Sequence, residues 1–191
     1  MLAATMRPVK DTFCSFCGAA YPDTARYPRR CPNAACGVMV WDNAVPVAVL
    51  LVPVRDGGRT GLLVLRRGIE PQRGRVALPG GFLEAHETWQ QGAARELHEE
   101  LDVTIDPRTV EAFWFVSTEP RPNRVLLFGL APAMDASALG PFSANTETEA
   151  RGVVYGPDDL ESVMAFPLHT AAARRWFAAA GIKGPHGYTA V

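Results

Sequence analysis

Apolar positions are sparse and aperiodic over the first 42 or so residues, which are rich in Cys, Pro and Arg, and the texture changes at Val45. VPVAVLLVPV (45–54) reads as a buried strand. RDGGRT follows as a turn in which Asp56-Gly57-Gly58 supply positive φ, and GLLVLRR (61–67) pairs back as a second strand. Residues 70–75 are polar, and RVALPGGFLE carries a short strand into a Gly-Gly pair. From Thr88 to Leu101 the period becomes four: Trp89, Ala93, Leu97 and Leu101 form one stripe, which predicts a helix with that face buried. Gly92 inside it costs about 1 kcal/mol relative to Ala, and the acidic residues lie off the stripe. VEAFWFVS (110–117) and RVLLFGLA (124–131) read as strands joined by the turn EPRPN. A loop over 132–148 leads to a strand near 151–155. A helix is predicted from Pro167, suited to a first turn, to Ala180. The tail after Gly181 reads as frayed. Strands interspersed with two helices indicate a layered α/β or α+β domain over 43–191, with residues 1–42 as a separate small module.

Composition fits this division, since 191 residues allow one domain of ordinary size plus an appendage. Apolar residues make up 48% and charged residues 20%, the mix of a globular protein. A net charge of -1 leaves no global basic field to attract nucleic acid or an anionic membrane. The longest apolar run, 44–53, is too short to span a bilayer, and MLAATMRPVKD has no signal-peptide core, so a cytoplasmic protein is expected.

All four cysteines fall between positions 14 and 36. Cys14-x2-Cys17 and Cys31-x4-Cys36 form two knuckles separated by 13 residues, each followed by Gly. In a cytosolic chain such a set points to metal, with disulfides or free thiols as the alternatives. Four thiolates fit a closed, tetrahedral, structural Zn²⁺ site, whose binding energy would fold a segment this small.

The most informative spacing runs from 81 to 103: Gly81, five residues, Glu87, seven residues, then Arg95-Glu96-Leu97-His98-Glu99-Glu100, with Val103 soon after. On a helix Glu96 and Glu100 share a face, with Glu99 beside them. Crowded carboxylates repel one another unless a counter-ion is present. They suit hard divalent cations such as Mg²⁺ or Mn²⁺, which also bind phosphates. Arg95 lies four residues before Glu99, placed to orient a carboxylate, and Gly80-Gly81 allows close backbone approach. Alone, RELHEEL is the composition of a solvated helix face. The joint pattern across 20 residues, after a strand and a Gly-Gly turn, points to chemistry.

This pattern resembles the box of the Nudix hydrolase family, matched at Gly81, Glu87, Arg95, Glu96, Leu97, Glu99, Glu100 and Val103. Asp102 stands where that family usually has Gly. Asp tolerates the left-handed conformation a helix end often needs, so a small cost and no loss of chemistry are expected. The resemblance implies an α/β/α sandwich with a mixed sheet behind a small zinc ribbon. It implies Glu96 and Glu100 as direct metal ligands, Glu99 acting through water, and the Gly80 carbonyl in the metal shell. Glu87 and Arg95 would be supporting residues. In such enzymes the metals neutralise a diphosphate and activate water. The general base varies within the family, and Glu147 and Glu149 in NTETEA are candidates beside Glu99; the pair also fits an ordinary solvated loop.

A zinc ribbon ahead of such a domain resembles two branches of the family, NADH pyrophosphatases and proteins assigned to ADP-ribose or related substrates. The NADH branch carries Ser-Gln-Pro-Trp-Pro-Phe-Pro after the box. The corresponding Ser117-Thr118-Glu119-Pro120-Arg121-Pro122-Asn123 lacks the Trp and Phe, which weakens that reading. The expectation is therefore a metal-dependent hydrolase cleaving a nucleoside diphosphate linked to another moiety. The alternatives are an NADH or NAD-cap pyrophosphatase acting on capped RNA, and a non-catalytic nucleotide-binding regulator. A homodimer is open, and no membrane partner is expected. Lys10, Arg26, Arg29 and Arg30 make a basic ribbon conceivable. Arg66, Arg67, Arg73 and Arg75 could meet phosphates or belong to a solvated turn. Phe113, Trp114 and Phe115 could stack on a base, although such residues are more often core. His86 and His98 read as surface residues.

Overall fold

The computed structural model describes residues 12–23, 26–120 and 123–191. Lys10, Arg121 and Pro122, on which parts of the basic-ribbon and signature readings fall, lie outside the described residues. The chain divides between Ala44 and Val45 into two compact units.

The first unit is built from tight turns. Gly18 N–H donates to Cys14 O, and Gly37 N–H to Asn33 O, each glycine holding positive φ (72° and 59°) as the two knuckles require. A minimal antiparallel pair, β1 (Arg29–Arg30) and β2 (Met39–Val40), follows the first knuckle and flanks the second. Among the described residues there, the buried hydrophobics are Cys14, Tyr21 and Cys31. Arg29, read from sequence as part of a basic surface, is buried with its guanidinium over the rings of Tyr21 and Tyr27 at 4.4 and 4.3 Å.

The second unit opens with β3 (Val45–Leu51) and β4 (Pro53–Asp56). The sequence reads these as one strand, and the structure divides them between two sheets at the buried Val52. β5 (Arg59–Arg67) returns antiparallel to β4, and β6 (Val76–Ala77) pairs with β5. β7 (Gly80–Phe82) is antiparallel to β3 and leads into α1 (Trp89–Leu101). β8 (Glu111–Ser117), β9 (Arg124–Leu130) and β10 (Met134–Asp135) follow, then β11 (Thr148–Tyr155), α2 (Pro167–Ala179) and β12 (Gly187–Ala190). One sheet runs β10-β4-β5-β11-β12 and the other β7-β3-β9-β8, with β3/β9 and β4/β10 parallel and the remaining pairs antiparallel. The tail is not frayed: β12 pairs with β11 along Gly152–Tyr155.

Alternation along β3 builds the sandwich. Ala48 and Leu50 face one core with Ala93, Leu97 and Leu101 of α1, whereas Val49 and Leu51 face the other with Ala172, Ala173, Trp176 and Phe177 of α2. Helices therefore cover both faces, and truncating a fully buried anchor such as Leu97 to Ala is worth about 2–5 kcal/mol. Among the described residues no helix is long and apolar enough to cross a membrane.

Candidate active site and metal centre

α1 begins with a capping box, in which Thr88 Oγ1 accepts from Gln91 N–H and Gln91 Oε1 accepts from Thr88 N–H. It ends at Asp102 in the left-handed conformation (φ 55°, ψ 32°), the conformation expected where relatives use Gly. The buried stripe faces the core, and the box residues project along the side of the helix toward β7.

Arg95 is the hub of the site. Its Nε and Nη2 donate to Glu87 at 3.1 and 2.9 Å, its Nη1 donates to Glu96 at 2.9 Å and Glu99 at 3.0 Å, and its Nη2 also reaches Phe82 O. The bidentate pair with Arg95 and the Glu84 N–H hold Glu87 below the usual carboxylate range. Burial pushes Glu96 above that range against the pull of Arg95. Glu100 is the most perturbed. Burial, reinforced by the charges of Glu96 and Glu147, raises it to about 8 although Gly80 N–H donates to it at 2.8 Å. A group of carboxyls that one guanidinium cannot neutralise has the donor chemistry that suits a hard divalent cation. The carboxylates do not converge fully by themselves. Among the described residues, only the four thiols have all donor atoms within 4.8 Å of one another.

Three of the glycines have specific jobs. Gly80 holds φ 151°, and a Cβ there would run into the backbone of Ala48 and Val49, while a Cβ on Gly81 would fall on the Glu96 carboxyl. Gly92, read from sequence only as a tolerated weak point, leaves room for Leu83 and Glu87.

The structure separates the two loop candidates. Glu147 is near enough to Glu96 and Glu100 for its charge to raise both, whereas Glu149 is paired with Arg73 at 3.0 Å. Of the remaining arginines of the 66–75 turn, Arg66 and Arg67 hold the turn itself and Arg75 ties it to residues 161–164. Arg66 donates to Gly74 O, Arg67 to Pro71 O, and Arg75 to Met164, Glu161 and Ser162 carbonyls. Of the aromatic triplet, Trp114 stacks on Phe128 at 5.2 Å, Phe113 is partly buried, and Phe115 is exposed. His86, exposed, takes positive φ (76°), and exposed His98 contacts Thr104. A groove of about 550 Å³ includes Gln72, Met164, Thr170 and Arg174 but no residue of α1, so chemistry and not concavity singles out the site. Sequence reasoning missed Asn145, although it lies in the quoted NTETEA stretch. Its side chain accepts from Glu147 and Thr148 N–H, the mark of an Asx turn.

In the cysteine unit, Cys14 and Cys36 Sγ lie 3.9 Å apart and Cys17 and Cys31 Sγ 3.5 Å apart. Thiolates tetrahedrally placed about 2.3 Å from a zinc ion are separated by about 3.8 Å, so the set fits. Burial raises the Cys14 thiol, but the amides of Phe16 and Cys17 outweigh it and bring it to about 6, while burial pushes Cys31 up to about 12. Such a split is what four thiols sharing one space produce, and a cation would remove it.

The second unit is thus a two-sided sandwich that presents an acidic helix beside a glycine bend. The NUDIX domain model matches residues 44–181, so the chain belongs to the Nudix family and is a hydrolase of phosphoric anhydride bonds. No curated protein matches it. Its fold is similar to that of a NUDIX hydrolase from Nitrosomonas europaea, with a TM-score of 0.62 and 23% identity over 91% of this chain and 95% of that one. A MutT/nudix family protein from Enterococcus faecalis gives 0.60 and 17%, with 74% of this chain covered and 65% of that one, so the chain spans just under two thirds of that relative. The NUDIX domain of Shewanella oneidensis NrtR, solved with ADP ribose, gives 0.54 and 20%, with 70% and 88% covered.

Proposed function

We propose that this chain is a Mg²⁺- or Mn²⁺-dependent pyrophosphohydrolase cleaving a nucleoside diphosphate linked to another moiety, with ADP-ribose as the first substrate to try. The observation that carries this reading is the group formed by Glu96, Glu100 and Glu147, in which burial and like charge hold Glu100 up at about 8. Glu96, Glu99, Glu100 and the Gly80 carbonyl would hold the divalent ions. When bound, these ions neutralise the diphosphate and make water a better nucleophile. Glu87 locks Arg95, and Arg95 in turn orients Glu96 and Glu99. Glu147 is the general base, taking the proton of the attacking water. Glu149, engaged by Arg73, is the weaker candidate. ADP ribose bound to the Shewanella domain supports the substrate class. Cys14, Cys17, Cys31 and Cys36 would hold one structural Zn²⁺.

The test is a hydrolysis panel of ADP-ribose, NADH, FAD, dinucleoside polyphosphates and nucleoside triphosphates with Mg²⁺ or Mn²⁺. The expected result is AMP release from ADP-ribose, cut by about 10²-fold or more in Glu147→Gln. Metal-independent turnover, or no turnover of any member of the panel, overturns the reading.

A further inference from the structure

We propose that Asp102 and Asn145 are positioning residues that fasten the segment carrying Glu147 onto the C-terminal end of the acidic helix. The inference rests on the reading of Glu147 as general base. From Leu139 to Thr146 the chain has no helix or strand of its own to hold it, and a base on an untethered segment would sample many positions besides the reactive one. Its fixed points are side-chain hydrogen bonds to α1. Ser143 N–H donates to Asp102 Oδ2 at 2.9 Å, and Asn145 Nδ2 donates to Glu99 O at 3.1 Å. The other side of the same amide accepts from Glu147 N–H at 2.9 Å and Thr148 N–H at 2.8 Å, so Asn145 bridges the base's own backbone to that of a box residue. Glu147 O accepts from Gly68 N–H, which closes the far side. Arg151 joins Leu101 O to Gly140 O where the segment starts. Glu99 O and Leu101 O belong to the last turn of α1, where carbonyls have no partner within the helix, so the segment satisfies groups that a glycine-type cap would leave to water.

Asp102 is the single departure from the family box. Gly could hold the same left-handed backbone but has no oxygen for Ser143. The departure therefore adds a latch at a position where Gly would give only a turn. Positioning of this kind acts on turnover more than on substrate binding, because both residues act through the backbone of the segment that carries the base.

The experiment uses the full chain with Asp102→Gly, Asp102→Asn, Asn145→Ala, Glu147→Gln and the double variant D102G/E147Q. Steady-state kinetics use ADP-ribose with Mg²⁺, and hydrogen exchange is followed without divalent ions added. D102G is expected to lower kcat about ten-fold, and N145A by somewhat more, with KM within about two-fold. D102N, which keeps an acceptor oxygen and tolerates the left-handed region, should retain most of the activity. Exchange across 140–148 should quicken in D102G and N145A, stay unchanged in D102N, and leave Ala93–Leu97 as slow as in the parent. D102G/E147Q should be no slower than E147Q. A full-rate E147Q overturns the general-base reading, and the exchange data then still report whether the segment is fastened. A slow E147Q beside D102G and N145A with normal kcat and normal exchange overturns the latch alone, as does a double variant whose losses add.

Discussion

The cysteine unit and the acidic helix both gather groups of like charge, and they hold them in opposite ways. The four thiols already stand within 4.8 Å of one another, and among the described residues of that unit the buried ones are Tyr21, Arg29 and two of the cysteines themselves. The carboxyls are held by hydrogen bonds, Glu87, Glu96 and Glu99 to the shared Arg95 and Glu100 to the Gly80 amide. A closed soft-ligand site needs no space for anything but its ion, and an ion bound there would supply folding energy to a small unit. A hard-ion site that must also admit a diphosphate would gain from ligands kept apart until ion and substrate arrive, and here a complete core holds the helix beneath the carboxyls.

The sharpest way to break this comparison is to strip the cysteine unit with a strong chelator. Protected amides between Cys14 and Val40 should be lost entirely, while Val45–Val191 keeps its cooperative unfolding; surviving protection in the first unit would refute the contrast. Next in size, Glu100→Gln should cut kcat by about 10²-fold or more with no loss of melting temperature, since burial already disfavours the charge it removes. Third, two adjacent alanines should separate fold from site. Gly80→Ala meets the β3 backbone at a left-handed φ and should cost on the order of 1–3 kcal/mol in denaturant unfolding. Gly81→Ala meets only the Glu96 carboxyl and should leave unfolding almost untouched while weakening Mn²⁺ binding by calorimetry.

The smallest effect is on pH dependence. The folded, metal-free chain keeps the Glu100 proton to about 8, whereas the unfolded chain releases it near 4.5. Because the folded state binds more protons across that window, this residue's contribution is complete below about 4.5 and is lost as pH rises to about 8. The melting temperature of the metal-free protein should carry that falling component, Glu100→Gln should remove it, and the gain from Mn²⁺ should grow over the same range. A parent and Glu100→Gln variant with identical pH profiles would exclude it.

Features set by short-range periodicity were legible in the sequence. The four-residue recurrence of Trp89, Ala93, Leu97 and Leu101 gave the buried face of α1, the i,i+4 relation put Glu96 and Glu100 side by side, and the left-handed tolerance of Asp102 anticipated the helix end. The single apolar run 45–54 misled, because a strand that leaves one sheet and enters another remains apolar throughout. The tail misled because GYTA has too little apolar pattern to announce a strand, and only the free edge of β11 gives it a partner.

What the sequence by itself determined is local: which carboxyls share a helix face, which glycines bend the chain before it, and which thiols come in pairs. What only the tertiary structure decided is which distant groups meet those faces. It set Glu147 rather than Glu149 beside the acidic helix and turned the odd Asp102 toward Ser143, 41 positions away. The physical reason is range. Backbone geometry fixes neighbours three or four residues apart, whereas contacts across tens of residues exist only once both cores have closed and brought their supporting segments together.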